Sequence, residues 1–288
     1  MRKIFPIVVE DLMKKNKKIF CLLGDIGVFS FRNIFKNFKD RILNMSTMEQ
    51  SMIGFAAGLS KAGYVPIVHT IAPFLVLRAL DQIKIDFVYN KLSGNIVSVG
   101  ASNDYAKLGT THHCFEDINI LSSYDDINLF LPSNETEFKY LFEKFYNNNA
   151  VNYFRISEKK NNFYIKSNGY LRKKNNKLLL IIVGNSFDYK EIKKKDIDVY
   201  YINKITKKMN FKFLSNYKKI LVLEPYFGNV LERKIKKNLK GINNILTISY
   251  EDSIIHKYGN KDEQDTFLKF DKKNIIKNIN EFCKTKKI

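Results

Sequence analysis

The stretch that decides the fold is residues 46–59, which read STMEQSMIGFAAGL. Apolar side chains recur here at helical spacing, so the stretch predicts a helix over residues 49–61. Glu49 stands at its start, and Gly54 and Gly58 interrupt it although glycine lowers helix propensity. Small side chains on a helix let another helix or a bound molecule approach closely. The pattern therefore indicates a helix that makes a close contact.

Glu49 has two interpretations. Ser46-Thr47-Met48-Glu49 matches a capping box, in which the glutamate carboxylate accepts a hydrogen bond from the Ser46 amide. In the other interpretation the carboxyl group lies in an apolar cleft and exchanges a proton with a ligand. The small residues that follow favour the second interpretation, because a simple cap does not require them.

Two further motifs lie downstream of this helix. Residues 69–74 read HTIAPF, and residues 109–118 read GTTHHCFEDI. Phe74, taken alone, is most simply a core residue. Adjacent side chains diverge, so His112 and His113 are not expected to form a metal pair. An imidazole titrates near neutral pH and is suited to proton transfer.

Short apolar runs alternate with amphipathic segments along the whole chain, which predicts an α/β fold with parallel sheets. We expect two domains, residues 1–157 and 178–288, joined by a lysine- and asparagine-rich linker over 158–177. The expected strands are 19–23, 65–69, 95–99, 128–131 and 151–155, then 178–183, 199–202, 220–223 and 245–249. The expected helices are 4–15, 49–61, 75–89 and 135–147, then 227–239 and 271–283.

The order and spacing of these motifs resemble the pyrimidine-binding half of transketolase. The resemblance is carried by residues 48–58, by RALDQI at 78–83, and by GTTH at 109–112 with EDI at 116–118. It covers essentially the whole chain, strongly from Gly24 to about Ser157 and weakly thereafter. It implies a thiamine diphosphate pyrimidine-binding fold followed by a domain like the transketolase C-terminal domain.

The resemblance implies a role for each residue of the site. Glu49 would be catalytic, with its carboxyl group hydrogen-bonded to the pyrimidine ring nitrogen of thiamine diphosphate, and Phe74 would stack on the aminopyrimidine. Ile71 and Leu77 stand where the family often has aromatic residues, so this cofactor pocket would be less aromatic. His112 would contact the carbonyl and hydroxyl groups of the substrate and help to move protons.

Three further residues concern the substrate. Arg155, at the end of a strand, matches an arginine that holds the sugar phosphate in transketolases, and a guanidinium group suits that contact. Arg2 is a weaker candidate for a second phosphate contact. Leu108 occupies the position where the family usually has an aspartate that bonds a donor-sugar hydroxyl, which implies a non-standard sugar substrate.

The chain resembles only one half of transketolase. Gly24-Asp25 begins like the diphosphate and metal motif, but the third glycine and the downstream asparagine pair are missing. We therefore expect no metal site in this chain. The resemblance implies a split enzyme in which an N-terminal subunit holds the diphosphate and Mg²⁺ or Ca²⁺, in an α2β2 assembly. The reaction would transfer a two-carbon ketol unit from a ketose phosphate to an aldose.

Other interpretations of the resemblance stay open. A 2-oxo-acid dehydrogenase beta subunit has the same domain arrangement, although GTTH favours transketolase. A 1-deoxyxylulose-phosphate synthase fragment is a further relative. A non-catalytic regulatory or binding subunit could keep this fold without turnover.

Composition and charge restrict the expected binding partners and cellular location of the protein. The formal net charge of +20 would ordinarily raise nucleic acid as a partner, but the lysines are scattered in many short runs, which favours a solvated surface. Three widely spaced cysteines favour a reducing compartment. No signal peptide or membrane-spanning run is evident. We expect a cytoplasmic protein that binds neither nucleic acid nor membrane.

Overall fold

The computed structural model describes residues 1–193, 196–239, 244–251 and 253–284. Twelve strands lie among them: β1 (Ile19–Leu23), β2 (Ile42–Asn44), β3 (Val65–Ile71), β4 (Gly94–Val99), β5 (Ile127–Phe130), β6 (Val151–Arg155), β7 (Gly169–Arg172), β8 (Leu178–Val183), β9 (Asp198–Ile202), β10 (Lys204–Ile205), β11 (Lys219–Glu224) and β12 (Ile245–Ser249).

Nine α-helices lie in the same ranges: α1 (Ile4–Lys15), α2 (Arg32–Asn37), α3 (Glu49–Lys61), α4 (Leu80–Gln82), α5 (Asp117–Leu121), α6 (Glu135–Phe145), α7 (Val230–Asn238), α8 (Lys261–Phe267) and α9 (Lys272–Lys284). Two π-helical segments, Pro73–Arg78 and Ile83–Tyr89, flank α4. The helix expected over 75–89 is therefore mostly π-helical. Within the described ranges no helix is long and apolar enough to cross a membrane.

The first sheet has seven strands in the order β10-β5-β6-β4-β3-β1-β2. Six of them are parallel, and β10 pairs antiparallel with β5. The central strands β4 and β6 are buried along their whole length, as expected for parallel strands covered by helices on both faces. The predicted α/β fold class is confirmed.

The second sheet has five strands in the order β12-β11-β8-β9-β7. Its edge strand β7 pairs antiparallel with β9 and lies inside the linker expected over 158–177. That linker therefore contains an edge strand. Strand β10 follows β9 in the chain but pairs with β5. The chain therefore returns from the second sheet to the first after residue 202. The boundaries at 157 and 178 stay predictions, and the range 178–288 includes residues outside the described ranges.

One apolar cluster joins the two halves of the chain. It contains Met52 and Ile53 of α3 together with Leu179 and Ile181 of β8, all fully buried. A second cluster covers the opposite face of the first sheet, where Phe5 of α1 meets the aromatic side chains of α6. These cores fix the ends of β3 and β4, where the candidate site lies.

Candidate active site

The candidate site lies where β3 and β4 end and α3 begins. The carboxyl ends of neighbouring parallel strands meet at one edge of a sheet, which is the usual position of a site in an open α/β sheet. Four side chains form a continuous row of contacts there: Glu49, Arg78, Phe74 and His112. Arg78 is the member of this row for which the sequence predicted no role.

Glu49 is the first residue of α3, and its side chain is only 1% exposed. Its Oε2 accepts a hydrogen bond of 2.6 Å from Nη1 of Arg78. Its Oε1 is buried and has no hydrogen-bond partner among the described residues. Burying a polar atom without a partner is costly, so this oxygen is suited to a ligand.

The capping-box interpretation of Glu49 is wrong. The residue preceding α3 is Met48, whose side chain makes no capping hydrogen bond. The Ser46 amide donates to Oδ1 of Asn44 at 3.2 Å instead of to Glu49. The carboxylate of Glu49 is therefore directed to Arg78 and not to its own helix.

Phe74 and Arg78 lie on one π-helical segment, Pro73–Arg78, although the expected helix began only at residue 75. The Arg78 guanidinium carbon lies 4.5 Å from the centroid of the Phe74 ring, a cation–π contact. The Arg78 side chain is 44% exposed, so this end of the row is open to solvent. π-helical segments occur often at functional sites.

His112 lies on the loop that joins β4 to α5, residues 100–116, which we call the histidine loop. Its ring meets Phe74 edge to face, with centroids 5.3 Å apart. Its Nδ1 lies 3.0 Å from Oγ1 of Thr111, which leaves Nε2 available. The neighbouring His113 is buried, and burial lowers its pKa.

Arg2 continues the row beyond His112. Its Nη1 donates to the Tyr105 hydroxyl at 3.3 Å, and the Tyr105 ring centroid lies 6.5 Å from that of His112. A cavity of about 310 Å³ opens here, lined among others by Arg2, Tyr105, Glu158 and Lys160. Among the described residues, Arg2 is therefore connected to His112 only through the intervening Tyr105.

Arg155 is not part of this row. Its Nε donates to Oδ2 of Asp117 at 2.7 Å and its Nη2 to Oγ of Ser102 at 2.9 Å. The side chain is 2% exposed and lies against a carboxylate that is fully buried. In this arrangement an anion would have to enter the interior and displace that carboxylate to reach Arg155, so the expected phosphate contact stays a prediction. Arg155 ties β6 to α5 and to the histidine loop.

The three remaining predicted residues surround the row. Ile71 ends β3 and packs under Gly100, the first residue of the histidine loop. Leu77 is exposed on the π-helical segment between Phe74 and Arg78. Leu108 is 51% exposed on the histidine loop, four residues before His112. Among the described residues there is no group of three or more His, Cys, Asp or Glu side chains that could hold a metal ion.

The sequence matches a known protein family over the region that contains this site. The family described as "Transketolase, pyrimidine binding domain" matches residues 1–163, which is more than half of the chain. The chain belongs to this family. The resemblance to transketolase predicted from the sequence is confirmed.

Two curated relatives are named as transketolase subunits. An apulose-4-phosphate transketolase subunit of Actinobacillus succinogenes is 34% identical over 124 residues, 43% of this chain and 40% of that protein. The protein of the same name from Phocaeicola vulgatus is 30% identical over 132 residues, 46% of this chain and 42% of that protein. In both cases the match spans less than half of the relative's own length.

A solved structure shares the complete fold. The protein described as "Split gene transketolase, inactive beta4 tetramer" superposes with a TM-score of 0.84, and each chain covers 99% of the other at 17% identity. The prediction of a pyrimidine-binding fold followed by a transketolase C-terminal-like fold is therefore confirmed.

Membership of the transketolase family implies the use of thiamine diphosphate. The residues present fit this cofactor. An aminopyrimidine needs a carboxyl group at its ring nitrogen and an apolar ring face beside it. The buried, unpartnered Oε1 of Glu49 and the ring of Phe74 provide groups of these kinds.

Proposed function

We propose that the chain is the C-terminal subunit of a split, thiamine diphosphate-dependent transketolase. It would transfer a two-carbon ketol unit from a ketose phosphate to an aldose in complex with an N-terminal subunit. The family, the two relatives named as apulose-4-phosphate transketolase subunits and the shared fold support this proposal.

The observation that carries the proposal is the environment of Glu49. One carboxylate oxygen is fixed by Arg78, which also stacks on Phe74, and the other is buried and has no partner among the described residues. Glu49 would hold the pyrimidine ring at Oε1, and Phe74 would supply an apolar face for it. When bound, thiamine diphosphate supplies the nucleophilic carbon that carries the ketol unit.

His112 would act on the substrate. Because Thr111 lies at its Nδ1, the Nε2 atom is the one that would donate or accept a proton at the carbonyl and hydroxyl oxygens of the sugar. An imidazole performs both steps near neutral pH.

Arg2 is our proposed anchor for the sugar phosphate. It is exposed, it contacts Tyr105, and it lines the cavity beside the row. The predicted contact of Arg155 is not part of this anchor, because its donors face Asp117 and Ser102. Leu108 would lie beside a sugar hydroxyl and lower the preference for ordinary ketoses at that carbon.

The solvent exposure of the row is consistent with a partner subunit that covers it. Arg78 at one end of the row is 44% exposed, and Leu108 beside the row is 51% exposed. Proton transfer and charge stabilisation are more effective where water is excluded. The N-terminal subunit, carrying the diphosphate and Mg²⁺ or Ca²⁺, would close this side, and two copies of each chain would form the α2β2 assembly.

Reconstitution tests the proposal. The chain is assayed for ketol transfer alone and together with an N-terminal transketolase subunit, thiamine diphosphate and Mg²⁺. We expect turnover only in the complete mixture. Turnover by the isolated chain would refute the split enzyme. A complex that binds the cofactor without turnover over a panel of ketose phosphates and aldoses would identify a non-catalytic subunit.

A further inference from the structure

The histidine loop is held from two sides. On the side of the first domain, its two ends are joined by backbone hydrogen bonds between Ser102 and Cys114, of 3.0 and 2.8 Å. The Arg155 guanidinium donates to Oγ of Ser102 at 2.9 Å. These contacts close the base of the loop two residues after His112, and Phe74 and Arg2 contact His112 and Tyr105, respectively, within the loop.

Helix α8 of the second half of the chain holds the beginning of the loop. Nδ2 of Asn103 donates to Oδ1 of Asp265 at 2.9 Å, and the Tyr250 hydroxyl donates to the same oxygen at 2.8 Å. Nζ of Lys261 donates to Oδ1 of Asn103. Asn103, Asp265 and Tyr250 are each more than nine-tenths buried.

The segment that precedes α8 covers the tip of the loop. Gly109 has φ +78°, and the ring of Tyr258 lies so close that a Cβ at Gly109 would be 2.7 Å from it. The Thr110 hydroxyl donates to the Ile255 carbonyl. These contacts lie two and three residues before His112.

The end of the loop is held by an aromatic contact. The ring of Phe115 stacks on Phe227, with centroids 4.8 Å apart and an angle of 11° between the planes. The Phe227 amide donates to the Phe115 carbonyl at 2.9 Å. The second half of the chain therefore contacts the loop at its beginning, its tip and its end.

A buried polar network is a costly way to join two domains. Each buried polar group loses its hydration, so such a network adds little stability beyond that of apolar packing. A fully paired network does fix one arrangement of the groups that it joins. Here the groups joined belong to the histidine loop, so the network restrains the conformation of that loop.

We propose that the second domain positions His112, with Asp265 and Tyr258 as positioning residues that hold the histidine loop. The consequence for catalysis rests on the proposed function, in which His112 acts on the sugar. The restraint of the loop does not depend on it and is measured separately.

Hydrogen exchange of the isolated chain, followed by mass spectrometry, measures the restraint. In Asp265→Ala, Asn103 and Tyr250 lose their shared acceptor, and we expect amides 104–113 to exchange on the order of tenfold faster. Asp265→Asn keeps an Oδ1 acceptor and should restore slow exchange. Asp262→Ala removes an exposed carboxylate from the same helix and should change nothing.

Tyr258→Ala is the second variant. Tyr258 is 77% exposed, so its loss leaves the core intact. We expect faster exchange around Gly109 with α1 unchanged. If Asp265→Ala does not fold, this variant decides the question. Wild-type exchange of the loop in every folded variant of these two positions would overturn the proposal.

The reconstituted complex provides the functional readout. We expect kcat to fall about tenfold in Asp265→Ala while the affinity for thiamine diphosphate is retained, since Glu49 and Phe74 are not held by this network. A loosened loop with wild-type kcat would overturn the positioning of His112. If the variants loosen the loop but the wild-type complex shows no ketol transfer, the proposed function is refuted. The restraint of the loop by the second domain would still stand.

Discussion

At the scale of single residues, the two oxygens of Glu49 have different surroundings. Arg78 fixes Oε2, while Oε1 is buried without a partner among the described residues. A carboxylate that only stabilised the fold would have both oxygens satisfied. We infer that the fold tolerates the unpaired oxygen because a ligand supplies its partner.

Glu49→Gln should separate chemistry from folding. We expect at least about a hundredfold loss of kcat in the reconstituted complex, the size typical of losing acid–base activation. The free energy of unfolding should change by less than about 1 kcal/mol, because the Arg78 partner is partly exposed and screened. Turnover assays and thermal denaturation measure the two effects.

Glu10→Gln is the matched control. Glu10 also forms an ion pair on a helix, with Lys14 at 3.4 Å, but lies outside the row. It should leave turnover unchanged. If Glu49→Gln instead loses stability with full activity per folded molecule, Glu49 has a structural role only.

Leu108→Asp tests substrate choice. A leucine accepts no hydrogen bond from a sugar hydroxyl, and one such bond contributes about 0.5 to 1.5 kcal/mol. We expect the aspartate to raise kcat/KM for ordinary ketose phosphates by about two- to tenfold. Lys107→Asp places a carboxylate one residue away and is the control. Standard transketolase efficiency in the wild type, unimproved by the aspartate, would contradict the proposed non-standard substrate.

The sequence predicted part of this site. Glu49, Phe74 and His112 follow in the order of the strand ends, so their motifs were sufficient to bring them together. The ion pair between Arg155 and Asp117 was not predictable, because 38 residues separate the partners and no local pattern marks their contact. The contact of Arg78 with Glu49 was missed for the same reason.

At the scale of elements, the π-helical segment decides how the row is built. The apolar pattern of 75–89 fits an ordinary helix, and local periodicity does not reveal an inserted wider turn. That turn carries both Phe74 and Arg78, whereas the expected helix over 75–89 contained Arg78 and left Phe74 outside. Among the described elements, β2, β7, β10, α2, α5 and α8 were also not predicted, because each is too short or too polar for a periodic signal.

Strand β3 carries a buried histidine that makes stability depend on pH. Nδ1 of His69 lies 2.8 Å from the Val97 carbonyl oxygen, and the ring lies between Phe5 and Phe31. Burial, opposed by the Val97 hydrogen bond and assisted by the charge of Arg2, lowers its pKa to about 4. The neutral ring therefore donates from Nδ1 to that carbonyl.

The sign of the pH effect follows from this depressed pKa. In the unfolded chain His69 has a pKa near 6.5. The contribution of its neutral, buried ring to the free energy of unfolding is therefore complete above that pH and is lost as the pH falls towards 4. We expect wild-type protein to lose about 3 kcal/mol more stability over this interval than His69→Gln, which has no group to titrate. Urea denaturation at several pH values measures the slopes, with exposed His256→Gln as the control. Equal slopes in wild type and His69→Gln would contradict the prediction.

At the scale of the whole molecule, the sequence predicted two α/β units but not how they meet. The histidine loop lies between them, in contact with α8 and with the residues before it. Contacts between distant parts of a chain do not produce a periodic pattern in the sequence of either part. The role that we propose for the second domain could therefore come only from the structure.

The formal charge of +20 leads to the last prediction, which concerns nucleic acid. Several lysines pair with acidic side chains on separate elements: Lys160 with Glu135, Lys207 with Asp126, Lys234 with Asp125 and Lys272 with Glu191. Dispersed charge of this kind gives only weak, sequence-independent attraction to phosphates. We expect duplex DNA to bind with a Kd weaker than about 1 μM at physiological salt, equally for any sequence. Two double variants, Lys14→Glu with Lys15→Glu on α1 and Lys234→Glu with Lys237→Glu on α7, should weaken it equally, as measured by fluorescence anisotropy. Nanomolar, sequence-selective binding that only one of these pairs abolishes would show a nucleic-acid site and contradict the solvated surface.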